Sequence, residues 1–123
     1  MIIGIGIDLV EIPRIKGIIE NKGSHFLQKV FTQKELAGAP LNPQRKIEYL
    51  AGRFAGKEAV AKAFGTGIGK QLNWKDIEIS SLDSGKPIVV IKSTEVEKEN
   101  LTIHISISHT KTIAIAKVII EQI

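Results

Sequence analysis

Apolar residues alternate with small or polar ones at the start of the chain, and this period of two is typical of a β-strand. The isoleucines occupy odd positions and the glycines and an aspartate occupy even ones: Ile3, Ile5 and Ile7 against Gly4, Gly6 and Asp8. Glycines inside a strand leave room for another backbone or a ligand to approach closely. We therefore predict a strand over Ile2–Val10, with Asp8 near its end and beside a place of close approach.

The pattern then changes to that of short helices with recognisable start and stop residues. Pro13 can occupy the first turn of a helix that ends near Gly23. Ser24 and Thr32 are predicted to cap two further short helices. Glu35 follows Thr32 by three residues, which is the spacing of a capping box.

The longest predicted helix covers Gln44 to about Phe64. Asn42 can cap this helix and Pro43 can occupy its first turn. The glycine-rich segment Gly65–Gly69 ends it. This segment is not a Walker A loop, because it follows a helix and no Gly-Lys-Ser/Thr completes the motif.

The second half of the chain alternates mainly with a period of two. We predict four strands there, paired as Ile77–Leu82 with Pro87–Ile91 and as Leu101–Ser108 with Thr112–Ile120. A short helix is predicted between the two pairs, over Ser93–Asn100. The predicted fold class is α+β, a mainly antiparallel sheet packed against one long helix plus shorter helices.

Composition narrows the class of protein. A length of 123 residues suits a single domain over residues 1–123, and the absence of cysteine excludes disulfides and thiolate metal sites. The net charge of +4 favours a polyanionic partner, and nucleic acid, a nucleotide-type cofactor and an acidic protein all fit it. One Trp and one Tyr make a base-stacking surface poor. No signal-peptide pattern or membrane-length apolar run is present, so we expect a cytoplasmic protein.

Glu58 is out of place on the long helix. On a helical wheel it lies in the middle of an apolar stripe formed by Ile47, Leu50, Ala51, Phe54 and Ala61. A carboxylate there is unfavourable unless it is paired or binds a metal. It could pair with Lys62 at i,i+4, worth about 0.2–0.5 kcal/mol on a surface, or the helix could rotate to expose it. It could also bind magnesium together with Asp8, because this ion combines one or two carboxylates with water and substrate phosphates.

The strand Leu101–Ser108 has one apolar face and one polar face. Its polar face carries Thr102, His104, Ser106 and Ser108. Such a face is either the solvated side of an antiparallel sheet or a wall that offers His104 to a substrate phosphate or hydroxyl. His109, at the following turn, is weaker evidence for such a wall.

Taken together, these motifs closely resemble the holo-acyl-carrier-protein synthase family, the small phosphopantetheinyl transferases of fatty-acid biosynthesis. Three blocks of sequence carry the resemblance: Gly4–Glu11 with Arg14, Arg53–Gly67, and His104–Thr110. A smaller fourth match is Gly85-Lys86-Pro87. Gly56 departs from the family pattern, in which alanine is usual. A glycine inside a helix costs roughly 1 kcal/mol relative to alanine.

The resemblance implies a homotrimer with sites in the clefts between adjacent subunits. It implies a magnesium-dependent transfer of 4′-phosphopantetheine from coenzyme A to a serine of apo-acyl carrier protein, which releases adenosine 3′,5′-bisphosphate. Asp8 and Glu58 would bind magnesium, Lys62 would contact phosphate, and Arg14 would meet acidic side chains of the carrier protein. The other residues implied to hold coenzyme A are Arg53, Gly65, Thr66, Gly67, Lys86, Pro87, His104, Ser106, His109 and Thr110.

The implied reaction leaves the general base open among Glu58, a metal-bound water and His104. A carboxylate bound to magnesium is a weak base, so we favour a water oriented by Glu58. Two other functions fit the composition, namely a non-catalytic trimer that binds coenzyme A and a nucleic-acid binding module. The absence of an arginine-rich tract and the few aromatic residues disfavour the nucleic-acid module, and we expect no nucleic-acid or membrane partner.

Overall fold

Strands begin and end the chain, and four helices lie between the first strand and the rest. The computed structural model describes all residues from Met1 to Ile123. The elements are β1 (Ile2–Glu11), α1 (Ile12–Lys22), α2 (Ser24–Val30), α3 (Gln33–Ala37), α4 (Pro43–Phe64), a 3-10 turn (Trp74–Asp76), β2 (Ile77–Ser81), β3 (Pro87–Ile91), β4 (Leu101–His109) and β5 (Ile113–Gln122). None of the helices is long and apolar enough to cross a membrane.

Most of the predicted helix boundaries are confirmed. The Thr32 hydroxyl accepts a hydrogen bond from the Glu35 amide at 3.2 Å, and the Glu35 carboxylate accepts one from the Thr32 amide at 2.8 Å. Asn42 caps α4 through the Arg45 amide, and Gly65 ends α4 with a left-handed φ of 80°. The cap predicted at Ser24 is wrong, because Ser24 is already the first helical residue.

The short helix predicted over Ser93–Asn100 is also wrong. The Ser93 hydroxyl donates to the Gln71 carbonyl at 2.7 Å and accepts from the Glu95 amide at 3.0 Å. A serine side chain that binds nearby backbone in this way competes with helix formation. The segment is therefore irregular, and Asn100 turns the chain into β4 with a φ of 60°.

The strands form two antiparallel sheets, which confirms the α+β class but divides the single predicted sheet in two. One sheet has the order β1-β5-β4, and the other is the β2-β3 hairpin. In the first sheet Asp8 lies opposite Ala116, and Ser106 lies opposite Lys117. The hairpin lies along the β4 side of the first sheet.

The helix α4 packs its backbone directly against β1. A Cβ atom added at Gly6 would overlap the carbonyl oxygen of Ala59, and one added at Gly4 would overlap that of Ala63. The α4 residues at these contacts are fully or almost fully buried. The two glycines thus make room for a helix backbone, which was one of the two occupants that the sequence allowed.

A buried ion pair fixes α4 from another side. The Lys57 ammonium lies 2.7 Å from a Glu35 carboxylate oxygen, and both side chains are fully buried. The ammonium also donates to the carbonyls of Val30 and Trp74, and the second Glu35 oxygen accepts from the Ile79 amide at 2.7 Å. Burial lowers the pKa of Lys57, and the Glu35 charge opposes this shift. The pair therefore joins α4 to α3, β2 and the 3-10 turn.

The outer face of β1 leaves an apolar stripe in solvent. The stripe consists of four side chains that are 48–63% exposed: Ile3, Ile5, Ile7 and Leu9. Ile5 lies opposite Ile119 of β5, so the apolar surface continues onto the neighbouring strand. Contiguous exposed apolar surface of this kind is typical of a protein–protein interface.

We expect the substitution Gly6→Ala to lower the free energy of unfolding by about 1–3 kcal/mol or more, because its methyl group overlaps backbone that cannot move away. Gly56→Ala is the matched control. Its methyl group would lie 2.6 Å from the movable Cδ1 of Ile79, and alanine stabilises a helix by roughly 1 kcal/mol. Urea denaturation of both variants measures the difference. A Gly6→Ala variant as stable as wild type would contradict the close packing of α4 on β1.

Candidate functional site

Three charged side chains meet where β1 runs alongside α4. The Lys62 ammonium lies 3.0 Å from a carboxylate oxygen of Asp8 and donates to the Ile7 carbonyl at 3.1 Å. Glu58 lies one turn before Lys62 on the same helix. The Lys62 ammonium thus pairs with Asp8, and no ion pair forms between Lys62 and Glu58. Glu58 is half-buried, so the helix has not rotated it fully into solvent either.

The electrostatics of Glu58 show that the two carboxylates interact. Burial raises the pKa of Glu58 above its usual value, and the negative charge of Asp8 raises it further. The positive charge of Lys62 opposes both effects. A cation bound between Asp8 and Glu58 would relieve their repulsion.

The donor atoms present at this site fit magnesium. No third His, Asp or Glu joins Asp8 and Glu58 to form a larger cluster. Magnesium accepts one or two carboxylates and completes its coordination with water and substrate phosphates. Zinc sites require at least three protein ligands, so the pair does not suit zinc.

The three charged residues line a cleft of about 300 Å³. Arg14 of α1 and Phe54 of α4 line the same cleft. The predicted carrier-protein residue therefore lies beside the predicted metal ligands. A group bound in the cleft would meet two carboxylates and two cations.

A second group of predicted residues lines a different cavity, of about 570 Å³. Arg53, Pro87 and His109 contribute to its wall, together with Arg45 and Tyr49, which the sequence reasoning did not select. Arg45, Tyr49 and Arg53 follow one another at four-residue intervals on α4, so the helical period could have found them. Burial lowers the pKa of Arg53.

Other predicted residues surround the groove between β3 and β4 and the outer face of β4. Lys86, Pro87 and His104 line a groove of about 340 Å³. His104 and Ser106 lie on the exposed face of β4, and a ring nitrogen of His104 lies 3.1 Å from Glu121. The polar face predicted for β4 is thus exposed, whereas Ile103, Ile105 and Ile107 pack against the core.

The remaining predicted residues shape turns. The Thr110 hydroxyl accepts from the amides of Thr112 and Ile113 and so closes the turn between β4 and β5. The Thr66 hydroxyl donates to the Gly67 carbonyl at 2.8 Å, just after the end of α4. Together with Gly65, these two residues form the loop that ends α4.

The structure of one chain does not bring all of these residues together. Glu58 and Arg53 are five residues apart on α4, which places them about 140° apart around the helix axis. The first group is the charged cluster of Asp8, Glu58 and Lys62, and the second includes Arg53 and His104. None of the cavities described above contains residues of both groups. One chain therefore presents two separate groups of predicted residues. The roles of the individual residues stay predictions.

Comparison with known proteins gives a single family. A profile of the 4′-phosphopantetheinyl transferase superfamily matches residues 4–118. A holo-[acyl-carrier-protein] synthase of Geobacillus sp. (strain WCH70) is 50% identical over 124 residues, which cover 100% of this chain and 99% of that protein.

Two solved structures extend the comparison to the fold. The holo-(acyl-carrier-protein) synthase of Bacillus anthracis str. Ames in complex with CoA (3′,5′-ADP) has a TM-score of 0.84 and 41% identity, over 99% of this chain and 98% of that one. The Helicobacter pylori holo-[acyl-carrier-protein] synthase in complex with coenzyme A has a TM-score of 0.83 and 34% identity, over 95% and 99% of the two chains.

In metal-free protein we expect Asp8→Asn to lower the pKa of Glu58, because the substitution removes a negative charge that raises it. The released ammonium of Lys62 acts in the same direction. Lys62→Ala should shift the pKa of Glu58 upward. Carbon-detected NMR titration of the Glu58 carboxyl group measures both shifts, with Asp83→Asn as the control. An unchanged pKa in Asp8→Asn would show that the two carboxylates do not interact.

Proposed function

We propose a magnesium-dependent mechanism for this chain, which belongs to the 4′-phosphopantetheinyl transferase superfamily. The chain transfers the 4′-phosphopantetheine group of coenzyme A to a serine of apo-acyl carrier protein and releases adenosine 3′,5′-bisphosphate. We further propose that the reaction serves fatty-acid biosynthesis in the cytoplasm and that residues 1–123 act as one domain. The observation that carries the mechanism is the meeting of Asp8, Glu58 and Lys62 in one cleft.

Asp8 and Glu58 would hold the magnesium ion, which, when bound, neutralises charge on the pyrophosphate of coenzyme A. Lys62 is half-exposed and is held at the cleft by its bonds to Asp8 and the Ile7 carbonyl. Its ammonium places a fixed positive charge where negative charge develops on the leaving phosphate. Such preorganised charge stabilises a transition state more than it stabilises the substrate.

In the proposed reaction the carrier-protein serine oxygen attacks the β-phosphorus, and the bond from that phosphorus to the oxygen bridging the two phosphates breaks. The electron pair leaves with adenosine 3′,5′-bisphosphate. Glu58 orients a water molecule that accepts the serine proton. His104 lies outside this cleft, in the groove between β3 and β4 of the same chain.

The separation of these two groups of residues supports an assembly with composite sites, which we propose to be a homotrimer. Ile7 and Leu9 of the apolar stripe flank Asp8 in β1, so a subunit that covers the stripe lies directly beside the metal ligands. In this assembly one subunit supplies Asp8, Glu58 and Lys62. Its neighbour supplies Arg53 and His104, and the coenzyme A lies between them.

The other contacts of the proposed site follow from the same arrangement. Arg14 lies at the edge of the cleft on α1 and would meet acidic side chains of the carrier protein. The net charge of +4 would favour the approach of such a partner. The remaining proposed contacts to coenzyme A are Gly65, Thr66, Gly67, Lys86, Pro87, Ser106, His109 and Thr110.

Intact-mass measurement of an apo-acyl carrier protein, incubated with this chain, coenzyme A and magnesium, tests the proposal. We expect a mass gain of one phosphopantetheine unit that disappears when magnesium is chelated. Asp8→Ala and Glu58→Gln should lower kcat/KM by at least about 100-fold, because each removes a negatively charged carboxylate from the metal site. Asp83→Ala, an exposed carboxylate in the β2-β3 turn, is the control.

Two results would contradict this account in different ways. Transfer that survives both chelation and Asp8→Ala would exclude the metal site but leave the activity intact. Binding of coenzyme A without transfer to any of several apo-carrier proteins would instead indicate a non-catalytic coenzyme A binding protein.

A further inference from the structure

Arg53 is a half-buried cation without an acidic partner. The ion pairs of the structure involve Lys57, Lys62, Lys92 and His104, and none of them includes Arg53. Its Nε atom is buried and has no hydrogen-bond acceptor. Burial of an unpaired charge is unfavourable, so a site that keeps one is suited to an anionic ligand.

Two neighbouring side chains hold the Arg53 guanidinium in one orientation. Its centre lies 4.1 Å from the centroid of the Tyr49 ring, one turn earlier on α4. Its Nη2 atom donates to the Ser81 hydroxyl, at the end of β2, at 2.6 Å. The guanidinium is therefore supported on one face by an aromatic ring and at one edge by a hydroxyl.

Tyr49 is itself fixed by the core of the protein. Its hydroxyl donates to the backbone carbonyl of Glu35 at 2.7 Å. The Glu35 side chain forms the buried pair with Lys57. The ring that supports Arg53 is thus tied to the backbone of a residue whose side chain is fully buried.

The surroundings of Arg53 are basic and open. Arg45 and His109 line the same cavity of about 570 Å³, and Glu48 is the one carboxylate in its wall. Glu48 accepts a hydrogen bond from the Gln44 amide group at 3.2 Å. The cavity is large enough for part of a nucleotide and offers more positive than negative groups to it.

We propose that Tyr49 and Ser81 are positioning residues, which hold the Arg53 guanidinium ready to bind a phosphate group of coenzyme A. This inference rests on the proposed function, in which Arg53 belongs to the coenzyme A site. A guanidinium that is already oriented loses less conformational entropy when the phosphate binds, so its support raises affinity. The support acts on the binding of coenzyme A and leaves the chemical step unchanged.

The test measures the Kd of coenzyme A by calorimetry, and its KM and kcat by transfer to apo-acyl carrier protein. Tyr49→Leu should raise Kd and KM by about 3- to 30-fold, the range of a partly desolvated cation–π contact. Ser81→Ala should raise them by about 2- to 10-fold, the range of one hydrogen bond. In both variants kcat should stay close to the wild-type value.

Conservative variants and a matched control distinguish a loss of positioning from a general loss of structure. Tyr49→Phe keeps the ring under the guanidinium and should lose less affinity than Tyr49→Leu. Ser81→Thr keeps the hydroxyl and should restore the affinity that Ser81→Ala loses. Ser24→Ala removes an exposed hydroxyl with no hydrogen bond in the structure and should leave Kd unchanged.

A double-mutant cycle gives the decisive readout. In an Arg53→Ala background, Tyr49→Leu and Ser81→Ala should cause no further loss of affinity, because the group that they position is gone. Wild-type Kd values in both single variants, or equal losses with and without Arg53, would overturn the inference while leaving transfer activity intact. Failure of the wild-type chain to bind coenzyme A would overturn the proposed function and the inference with it.

Coenzyme A offers two sources of phosphate, and 3′-dephospho-coenzyme A distinguishes them. If Arg53→Ala weakens the binding of coenzyme A but not that of 3′-dephospho-coenzyme A, Arg53 binds the 3′-phosphate. If the loss persists, Arg53 binds the pyrophosphate, and both results support the inference. Equal Kd values for wild type and Arg53→Ala with both compounds would contradict it.

Discussion

The contact between the backbone of α4 and the glycines of β1 is the constraint on which the rest of the site depends. Gly6 faces the carbonyl of Ala59, the residue after Glu58, and Gly4 faces that of Ala63, the residue after Lys62. Glu58 and Lys62 therefore stand next to the two points of closest approach. Asp8 follows Gly6 by two residues and so lies on the same face of β1. The contact between α4 and β1 therefore both packs the core and brings Asp8, Glu58 and Lys62 together.

The helix α4 contributes to both groups of predicted residues because its rotation is fixed from several sides. Lys57, next to Glu58, is bound in the interior to Glu35, and the Glu35 carbonyl in turn anchors Tyr49. One side of α4 thus presents Glu58 to β1, while another presents Arg53 to the cavity near β3. Within one chain, these two groups line separate cavities. This division gives an assembly of several subunits a physical reason.

The sequence predicted the elements well, because alternation, caps and glycine breaks are local signals. The unusual carboxylate on an apolar stripe and the glycine-flanked aspartate made an Asp8–Glu58 metal site one of several options, and the family resemblance selected it. The sequence could not predict which face of β1 the helix would cover. The apolar face carrying Ile5 and Ile7 is exposed, and the glycine face is buried, because α4 needs the space that side chains would fill. The burial of Lys57 could not be predicted, because most lysines on a helix are solvated and its partner, Glu35, is distant in the sequence.

We propose that a complete site draws Asp8 and Glu58 from one subunit and Arg53 from its neighbour. Subunit complementation tests it most directly: Asp8→Ala and Arg53→Ala chains are unfolded together, refolded as mixed oligomers and assayed for transfer to apo-acyl carrier protein. Each variant alone should be impaired. Random mixing should restore roughly one quarter of wild-type activity, because each interface draws its two subunits independently. Mixed oligomers no more active than the average of the two variants would contradict a site shared between subunits.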